Sequence, residues 1–395
     1  MVSIDRVNTI SVLGAGVMGR EIAQVALMAG YKKVFLFSRS METINKAKKF
    51  IENGLVKMKS KNLISEEVTP DMLMKNLVLL RDIEKTVENT DFVIESVPEI
   101  MKLKQDIFNK LGEYSPDHTI LATNTSTMSI TQIAEHSNRP DKVLGMHFFT
   151  PIPVLRLIEL VKGEQTSDDT VNIALEVGKS LPALKGKRFI PVIQKDRPGF
   201  IVNRLTITCN LYLDWILDYA MDNNILLEQV DADAGDITYL GPYAKMDYFG
   251  LDTVCNTMNY FAEKLSPEFA PGKTLSRLVN EGNLGKKTGK GLYKWDENKP
   301  LISKDKKAGL FNPEMYMAIQ LNEGCRLLEE GVVSNYKMID DTMLAGMDMP
   351  GPFGAGKNNY EKWTKMLDDF VEKSGIQYLK PCKLMRSGGF LSMRK

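Results

Sequence analysis

A glycine-rich turn that directly follows a short apolar strand constrains the fold of this chain most. Val7 to Leu13 has the composition of a buried strand, and Gly14 to Gly19 (GAGVMG) follows it at once. Arg20 to Ala29 then carries apolar residues at helical spacing and ends at Gly30. A strand, a GxGxxG turn and a helix in this order are typical of the first unit of a dinucleotide-binding Rossmann fold.

Each position of the turn has a physical task in this interpretation. Gly14 permits the tight turn out of the strand, Gly16 lets backbone amides approach a pyrophosphate, and Gly19 lets the helix pack closely on the sheet. The N-terminus of the helix that follows offers unpaired N–H groups and the positive end of the helix dipole, which favour phosphate. We therefore predict cofactor contacts from Gly14, Gly16, Val17, Met18 and Gly19.

Strands and helices alternate through the first half of the chain. This alternation predicts an α/β fold with a Rossmann-type, doubly wound, mostly parallel sheet. From about residue 195 the strands largely disappear, so the remainder reads as an all-α region. We expect a dinucleotide-binding domain at 1–194, a helical domain at 195–298 and a second helical domain at 299–395. The predicted strands after the first are Val34–Phe37, Leu77–Leu80, Asp91–Glu95, Thr119–Ala122 and Val143–Phe149, and the longest predicted helices are Thr43–Lys59 and Phe200–Asp222.

The helical region contains an apparent internal repeat. Leu227–Asp231 precedes Gly241-Pro242-Tyr243, and about 110 residues later Tyr336–Asp340 precedes Gly351-Pro352-Phe353. Lys299 to Gly309 is the natural linker between the two copies. The alternative is chance similarity between two amphipathic helix–turn units. If the repeat is real, the second copy can pack on the first as a partner subunit otherwise would.

The bulk composition argues against several classes of function. The 51 Lys and Arg nearly balance the 50 Asp and Glu, whereas nucleic-acid and membrane-surface binding rely on a clustered basic excess. No apolar run approaches the ~20 residues that span a bilayer, and Met1 to Arg6 contains no signal core. The four cysteines lie far apart without metal-ligand spacing, so we expect no metal site, reduced thiols and a cytoplasmic location.

The end of the second predicted strand bears on the choice of cofactor. An acidic residue at this position usually accepts hydrogen bonds from the ribose of NAD, but this chain has Ser38-Arg39-Ser40. Hydroxyl groups beside a guanidinium could hold a 2′-phosphate through charge-assisted bonds. The alternative is a solvated arginine beside an ordinary NAD site. NAD and NADP therefore both remain open.

Short polar side chains follow another predicted strand. Asn124-Thr125-Ser126-Thr127 comes just after Thr119–Ala122, at a carboxyl strand end, where ligands bind in this architecture. Ser126 is therefore a candidate site residue. The alternative role is a helix N-cap, which Ser and Thr favour, and both roles can hold together because several hydroxyls are available.

His147 closes a predicted strand, and Glu159 follows it by twelve residues in an apolar stretch (LRLIELV). A carboxylate in such a stretch is costly to bury without a partner, and His147 is the obvious one. The pair would fix the tautomer and aim the other ring nitrogen at a substrate. The alternative is an ordinary structural histidine.

Asn203 lies one turn into an apolar helix that begins after Pro198-Gly199. Its amide should bond across a domain boundary or face a cleft. A structural and a functional role are equally open for it.

Taken together, four segments resemble the L-3-hydroxyacyl-CoA dehydrogenase family over residues ~5–297. Two shorter pieces agree with it: Glu95-Ser96-Val97-Pro98-Glu99 followed by Lys104, and Gly285 to Tyr293. The four segments are GAGVMGREIA at Gly14–Ala23, NTST at Asn124–Thr127, HFFTPIP at His147–Pro153 with Glu159, and RPGFIVNR at Arg197–Arg204.

The resemblance implies reversible oxidation of (S)-3-hydroxyacyl-CoA to 3-ketoacyl-CoA in fatty acid metabolism, with short acyl chains such as 3-hydroxybutyryl-CoA. His147 would be the general base, Glu159 would orient it, and Ser126 and Asn203 would hydrogen-bond the reacting end of the substrate. The remaining implied positions line the cofactor site (Glu99, Lys104, Ser126 and Lys287) or lie near the coenzyme A phosphates (Lys57 and Lys61).

The chain departs from the family pattern at two places. Thr150 stands where the family usually has Asn, and Ser38-Arg39 replaces the usual acidic residue. Nothing in the sequence resembles the hydratase domain of the large multifunctional members. Shorter members dimerise through the helical domain, so a monomer and a homodimer are both compatible with a duplicated one. The competing functions are a relative that acts on a free 3-hydroxy acid and a non-catalytic protein such as the lens crystallins recruited from this family.

Overall fold

The computed structural model describes residues 7–235, 240–297, 299–300 and 306–394. The described chain falls into two compact units. The first comprises residues up to Phe200 together with Gly331–Val333 and Asp341–Gly351, and the second comprises Ile201–Glu330, Ser334–Asp340 and the residues from Pro352 onward. Among the described residues, none of the helices has the length and apolar character needed to cross a membrane.

The first unit is built on one sheet, in which the described strands run in the order β3-β2-β1-β4-β5-β6-β7-β8. All neighbours pair in parallel except β6 and β7, which are antiparallel. The first strand emerges in the middle and the chain winds outward in both directions, which makes the sheet doubly wound. The strands are β1 (Thr9–Leu13), β2 (Lys33–Phe37), β3 (Leu77–Leu80), β4 (Phe92–Glu95), β5 (Ile120–Thr123), β6 (Val143–Phe148), β7 (Ile158–Lys162) and β8 (Val192–Ile193).

Crossover helices cover this sheet and explain its apolar strands. A parallel strand between two helical layers is buried on both faces, and β4 through β6 are accordingly buried at every position. The core of the unit includes Ile10, Ile22 and Ile94, which are fully buried. The helices are α1 (Val17–Met28), α2 (Met41–Lys59), α3 (Pro70–Met74), α4 (Ile83–Val87), α5 (Met101–Tyr114), α6 (Ile130–Ala134) and α7 (Asp168–Ser180).

The predicted α/β fold is confirmed, and the predicted strands agree with β1 through β6 to within two residues. β7 and β8 were not predicted. The stretch around Glu159 is apolar at nearly every position, because β7 is buried along most of its length between two neighbouring strands. A continuous apolar run of this kind cannot be distinguished from a buried helix by periodicity.

The second unit is mainly helical, as expected. Its only described strands are the two-residue pair β9 (Trp295–Asp296) and β10 (Lys299–Pro300), which pair antiparallel. The helices that follow Phe200 are α8 (Val202–Thr208), α9 (Asn210–Asp222), α10 (Leu227–Asp233), α11 (Pro242–Phe249), α12 (Leu251–Lys264), α13 (Lys273–Asn280), α14 (Pro313–Glu329), α15 (Tyr336–Met347), α16 (Pro352–Ser374) and α17 (Lys383–Ser387). Residues 301–305 of the predicted linker lie outside the described residues.

The single helix predicted from Phe200 to Asp222 is wrong at two points. It begins later, because Phe200 has a positive φ of 53°. It is also interrupted at Cys209, between α8 and α9. The hydroxyl groups of Thr206 and Thr208 donate to carbonyls four residues earlier, and side-chain bonds of this kind bend helices.

Equivalent contacts recur in the two segments that resemble each other. Asp231 Oδ1 accepts the backbone N–H of Tyr243 at 2.8 Å, and Asp340 Oδ1 accepts that of Phe353 at 3.0 Å. Farther along, the side chains of α9 and α14 cap the starts of α13 and α17 in the same way. Asp214 accepts the N–H of Gly272 at 2.6 Å, and Asn322 accepts that of Cys382 at 2.8 Å.

The capping side chains Asp214 and Asn322 differ in charge, and the charge of Asp214 lowers the stability of the folded protein. Among the described residues, Asp214 Oδ1 has no hydrogen-bond partner. Burial, with a further contribution from Asp218, raises the pKa of the Asp214 carboxyl to about 7. At the corresponding place, the Asn322 amide is neutral and its NH₂ group donates to the carbonyls of Leu379 and Lys380. The amide therefore satisfies the same cap without a buried charge.

Asp214→Asn should stabilise the protein more at pH 8 than at pH 5. The folded carboxyl keeps its proton to about pH 7, whereas the unfolded one loses it near pH ~4, so wild-type stability falls as the pH rises through this window. The amide removes that loss, and the gain should be larger at pH 8 by about 2 kcal/mol. Urea unfolding of both proteins at the two pH values measures it.

Asp222→Asn is the matched control for this prediction, because Asp222 is an exposed residue of the same helix. It should change stability little at either pH. An equal effect of Asp214→Asn at pH 5 and pH 8 would contradict the assigned burial cost.

Candidate active site

The glycine turn after β1 leaves a cradle at the start of α1. Gly14 has a φ of +111°, and a Cβ there would lie 2.4 Å from the carbonyl oxygen of Ser96. A Cβ on Gly19 would lie 1.7 Å from the carbonyl oxygen of Gly14, so neither position accepts a side chain. A Cβ on Gly16 would meet nothing within 4 Å. The open space beside Gly16 fits a pyrophosphate at the N-terminus of α1. Val17 is exposed and Met18 half-buried there.

The carboxyl ends of β2 and β3 carry two arginines. Phe37 and Leu80 are paired in register, so the residues that follow them lie side by side. Ser38 is half-buried, Arg39 is exposed, and Arg81 Nε donates to the carbonyl oxygen of Arg39 at 3.1 Å. Sequence analysis missed Arg81, whose only signal was its position directly after a predicted strand. The residues that follow β2 and β3 thus include two guanidinium groups, from Arg39 and Arg81, and the hydroxyl of Ser38, which could contact a cofactor.

A buried ion pair supports the next strand end. Lys104 Nζ lies 2.8 Å from Glu95 Oε1, and both side chains are essentially inaccessible to solvent. It also contacts Glu99 Oε2 at 3.2 Å. Burial opposes the charge of Lys104, but the two carboxylates outweigh it and raise the pKa of the ammonium group. The ammonium group of Lys104 is therefore buried, and its ion pair holds the carboxylate of Glu99 in place.

Glu99 in turn orients the turn that contains Ser126. Its Oε1 accepts the backbone N–H of Ser126 at 2.6 Å and the Ser126 hydroxyl at 3.2 Å. The N-cap of α6 is Ser129, whose hydroxyl accepts the N–H of Gln132. The capping role that competed for Ser126 is therefore taken by another residue. Asn124 Oδ1 accepts the N–H of Phe148 at 2.9 Å, which ties this turn to β6.

His147 and Glu159 face each other across the antiparallel pair β6–β7. They are directly opposite in register, and directly opposite residues of antiparallel strands share one face of the sheet. His147 Nδ1 and Glu159 Oε2 are 2.8 Å apart. The histidine is 6% exposed and the glutamate 0%. The contact that the sequence predicted is present, and the strand pairing produces it.

Two aromatic rings restrict the orientation of His147. The ring of Phe149 lies 4.3 Å from the imidazole, and that of Phe200 lies 5.8 Å away with its edge toward it. Phe200 is fully buried and has a φ of 53°, directly after Gly199 with a φ of 76°. A bulky residue in the left-handed region is strained and persists only where packing holds it. The sequence contains no signal for this contact.

Glu21 holds the turn that follows His147. This residue of α1 is 6% exposed, and its Oε2 accepts the N–H of Ile152 at 2.7 Å and the hydroxyl of Thr150 at 3.1 Å. Thr150, which stands where the family usually has Asn, therefore has a hydrogen-bond partner within the protein. Sequence analysis missed Glu21, although a carboxylate on the apolar face of a helix was a signal for it.

The remaining predicted residues lie in other segments of the chain. Lys57 lies in the last turn of α2 and Lys61 just after that helix, and both are exposed. Asn203, in the second unit, is a half-buried residue of the first turn of α8. Lys287, also in the second unit, forms an ion pair with Asp252.

Comparison with known proteins gives two matched domains. Residues 9–195 match the 3-hydroxyacyl-CoA dehydrogenase, NAD binding domain, and residues 199–295 match the 3-hydroxyacyl-CoA dehydrogenase, C-terminal domain. The two matches together cover more than half of the 395 residues.

Individual relatives agree with these matches. The chain is 36% identical over 304 residues to human mitochondrial hydroxyacyl-coenzyme A dehydrogenase, covering 73% of this chain and 91% of the relative. It is 33% identical over 291 residues to 3-hydroxybutyryl-CoA dehydrogenase of Clostridioides difficile, covering 73% and 99%.

A solved structure matches nearly the whole length. The crystal structure of 3-hydroxybutyryl-CoA dehydrogenase from Escherichia coli K12 superposes with a TM-score of 0.81 at 26% identity, covering 98% of this chain and 99% of that one. With the two domain matches and the identities to the relatives, the conclusion is plain: the chain belongs to the 3-hydroxyacyl-CoA dehydrogenase family.

Proposed function

We propose that this protein catalyses the reversible oxidation of short-chain (S)-3-hydroxyacyl-CoA to 3-ketoacyl-CoA. The observation that carries the proposal is the buried His147–Glu159 pair, which lies on the sheet whose β1–α1 turn forms an open glycine cradle. The relatives named 3-hydroxybutyryl-CoA dehydrogenase and hydroxyacyl-coenzyme A dehydrogenase support the substrate class.

The protein's own part in the reaction is removal of one proton. A bound nicotinamide supplies the hydride acceptor for oxidation and the donor for the reverse direction. Nδ1 of His147 is engaged by Glu159, so Nε2 is the atom that receives the proton of the C3 hydroxyl. The buried carboxylate fixes this tautomer and balances the positive charge that forms on the ring. In the reverse direction Nε2 returns the proton.

Ser126 and Asn203 position the reacting end of the substrate. Glu99 accepts hydrogen bonds from both the backbone and the hydroxyl of Ser126, and Lys104 holds Glu99. We assign Ser126 to the C3 oxygen and to the edge of the cofactor site, and Asn203 to the same end of the substrate. Holding the carbinol, the base and the hydride acceptor in register supplies much of the acceleration.

The matched domain indicates NAD as the cofactor, and we infer that NADP is accepted as well. Ser38, Arg39 and Arg81 support this extension, since two guanidinium groups at neighbouring strand ends can bind a phosphate with charge-assisted hydrogen bonds. Glu42 is the nearest acidic residue along the chain, and it is paired with Lys46. We assign Lys287 to the cofactor site on the family resemblance alone.

We also infer that residues 299–395 are a degenerate second copy of the helical domain at 195–298, after a cofactor domain at 1–194. The recurring caps of Asp231 and Asp340 support this, as does the buried ion pair of Arg204 in α8 with Glu323 in α14. The second copy then covers a face that shorter relatives bury in a dimer, which permits a monomer as well as a homodimer. The four free thiols support a cytoplasmic location.

His147→Gln should lower kcat about 1,000-fold, the scale of a lost general base, while the affinity for NADH is retained. Initial rates with acetoacetyl-CoA and fluorescence titration with NADH measure the two quantities. The control is His118→Gln, because His118 is exposed and bonds to Asp91 at the surface. A parallel loss of NADH affinity would show that His147 is structural.

Replacing both Lys57 and Lys61 by Ala should raise KM for acetoacetyl-CoA about tenfold, because two cations that meet the coenzyme A phosphates are lost. KM for a truncated acetoacetyl thioester that lacks the nucleotide should not change. Lys49→Ala, an exposed change on the same helix, is the control. If the wild type turned over free 3-hydroxybutyrate as well as the thioester, the free-acid alternative would replace this proposal.

Arg39→Ala should reduce kcat/KM for NADPH about 30-fold and leave NADH kinetics nearly unchanged, since only the 2′-phosphate loses its partner. Arg81→Ala should act in the same direction. The ratio of the two specificity constants measures the effect. A wild-type enzyme that uses NADH but ignores NADPH would refute the NADP inference without touching the dehydrogenase assignment.

A further inference from the structure

Two of the four cysteines are neighbours in the second unit. In the sequence, both are more than 100 residues away from the residues assigned to proton transfer and to substrate binding. Cys325 is a fully buried residue of α14, and Cys382 is the half-buried residue that precedes α17. Asn322 and Glu329, about one turn to either side of Cys325 on α14, accept the backbone N–H groups of Cys382 and Leu384. Cys382 therefore lies against the face of α14 that carries Cys325.

Asn322, one turn before Cys325 on α14, fixes this approach. Its Oδ1 accepts the backbone N–H of Cys382 at 2.8 Å, and its carbonyl oxygen accepts the thiol of Cys382 at 3.8 Å. Its amide also donates to the carbonyls of Leu379 and Lys380, just upstream. The chain on both sides of Cys382 is thus anchored to the helix that carries Cys325.

The surroundings differentiate the two thiols. The pKa of Cys382 is lowered by the neighbouring Cys325 thiol and by the backbone N–H of Met385, with a contribution from the charge of Arg326, despite partial burial. Burial and the neighbouring Cys382 raise the pKa of Cys325. Of the two thiols, Cys382 is therefore the easier to ionise.

Cys382 is also accessible. It borders an open cavity of about 510 Å³, whose other lining residues include the cations Arg326, Lys380 and Lys383 and the carboxylates Glu329 and Glu330. The cavity has room for a small peroxide beside the sulfur. The combination of an accessible thiol of lowered pKa and a buried thiol nearby is the arrangement of cysteines that sense oxidants.

We propose that Cys382 and Cys325 form a peroxide-sensitive dithiol, in which Cys382 reacts with the oxidant and Cys325 resolves the product to an intrachain disulfide. This modification site does not depend on the proposed dehydrogenase reaction. The disulfide joins α14 to the start of α17 within the second unit.

The chemistry balances with hydrogen peroxide as the oxidant. The Cys382 thiolate attacks one peroxide oxygen, the O–O bond breaks, and the leaving hydroxide takes up a proton to give water and Cys382 sulfenic acid. The Cys325 sulfur then attacks the Cys382 sulfur, the S–O bond breaks, and the departing oxygen leaves as water with the thiol proton. Each sulfur loses one electron, and the peroxide gains two.

The other two cysteines serve as internal controls. Cys209 is fully buried, and its thiol contacts the carbonyls of Leu205 and Tyr316. Burial raises the pKa of Cys255 to about 11. Neither thiol has the environment of Cys382, so both should remain reduced under conditions that oxidise the pair.

The test is peptide mapping of the full-length protein after a brief treatment with hydrogen peroxide, with free thiols blocked before digestion. The expected product is a cross-linked peptide joining Cys325 and Cys382, formed about tenfold faster than any oxidation of Cys255. Reduction with dithiothreitol should restore both thiols. Because the cross-linked peptide is sought in a non-reducing digest of the wild-type protein, this test does not depend on the folding of a variant.

Two variants separate the roles of the sulfurs. Cys325→Ser should stop at Cys382 sulfenic acid, which dimedone traps, and Cys382→Ser should leave Cys325 reduced. Cys255→Ser should form the disulfide at the wild-type rate. Oxidation of Cys382 no faster than that of Cys255, or trapping of sulfenic acid in the wild type without a 325–382 cross-link, would overturn the proposal.

Discussion

The chemistry depends on a hydrogen bond between two side chains that the chain reversal at β6–β7 brings together. His147 and Glu159 face each other because β7 returns antiparallel to β6 in a sheet that is otherwise parallel. A carboxylate that is fully buried is tolerated only with polar partners, and the imidazole at 2.8 Å is one of them. Because a buried Glu159 without its partner would be unstable, the imidazole of His147 is held in the orientation that keeps this hydrogen bond.

The rest of the first unit fixes where this pair lies relative to the cofactor cradle. Asn124 bonds the backbone of Phe148 and the hydroxyl of Ser96, and the backbone N–H of Ser96 donates to the carbonyl oxygen of Leu13 at 2.7 Å. Short polar contacts thus connect the carboxyl end of each of the strands β1, β4, β5 and β6 to that of the next. Glu21 adds a second link, from α1 to the turn after His147. A shift of any one strand end would displace the base.

Much of the first unit could be predicted because its signals are local. The GxGxxG turn, the strand ends and the twelve-residue spacing of His147 and Glu159 all lie within short segments of sequence. The antiparallel direction of β7 could not be predicted, since its continuous apolar run has no period that separates a strand from a buried helix. The roles of Glu21, Arg81 and Phe200 arise from contacts between distant segments, so the sequence contains at most a weak local signal for Glu21 and Arg81 and none for Phe200. The break at Cys209 is a local effect that the apolar periodicity masked.

The central claim is that Nε2 of His147 takes the proton from the C3 hydroxyl of a coenzyme A thioester. A crystal structure of the protein with NAD⁺ and acetoacetyl-CoA tests it most directly. The predicted result is the C3 oxygen within about 3 Å of His147 Nε2, with Nδ1 still bonded to Glu159. A thioester chain bound with C3 out of reach of His147, or an imidazole that has left Glu159, would contradict the account.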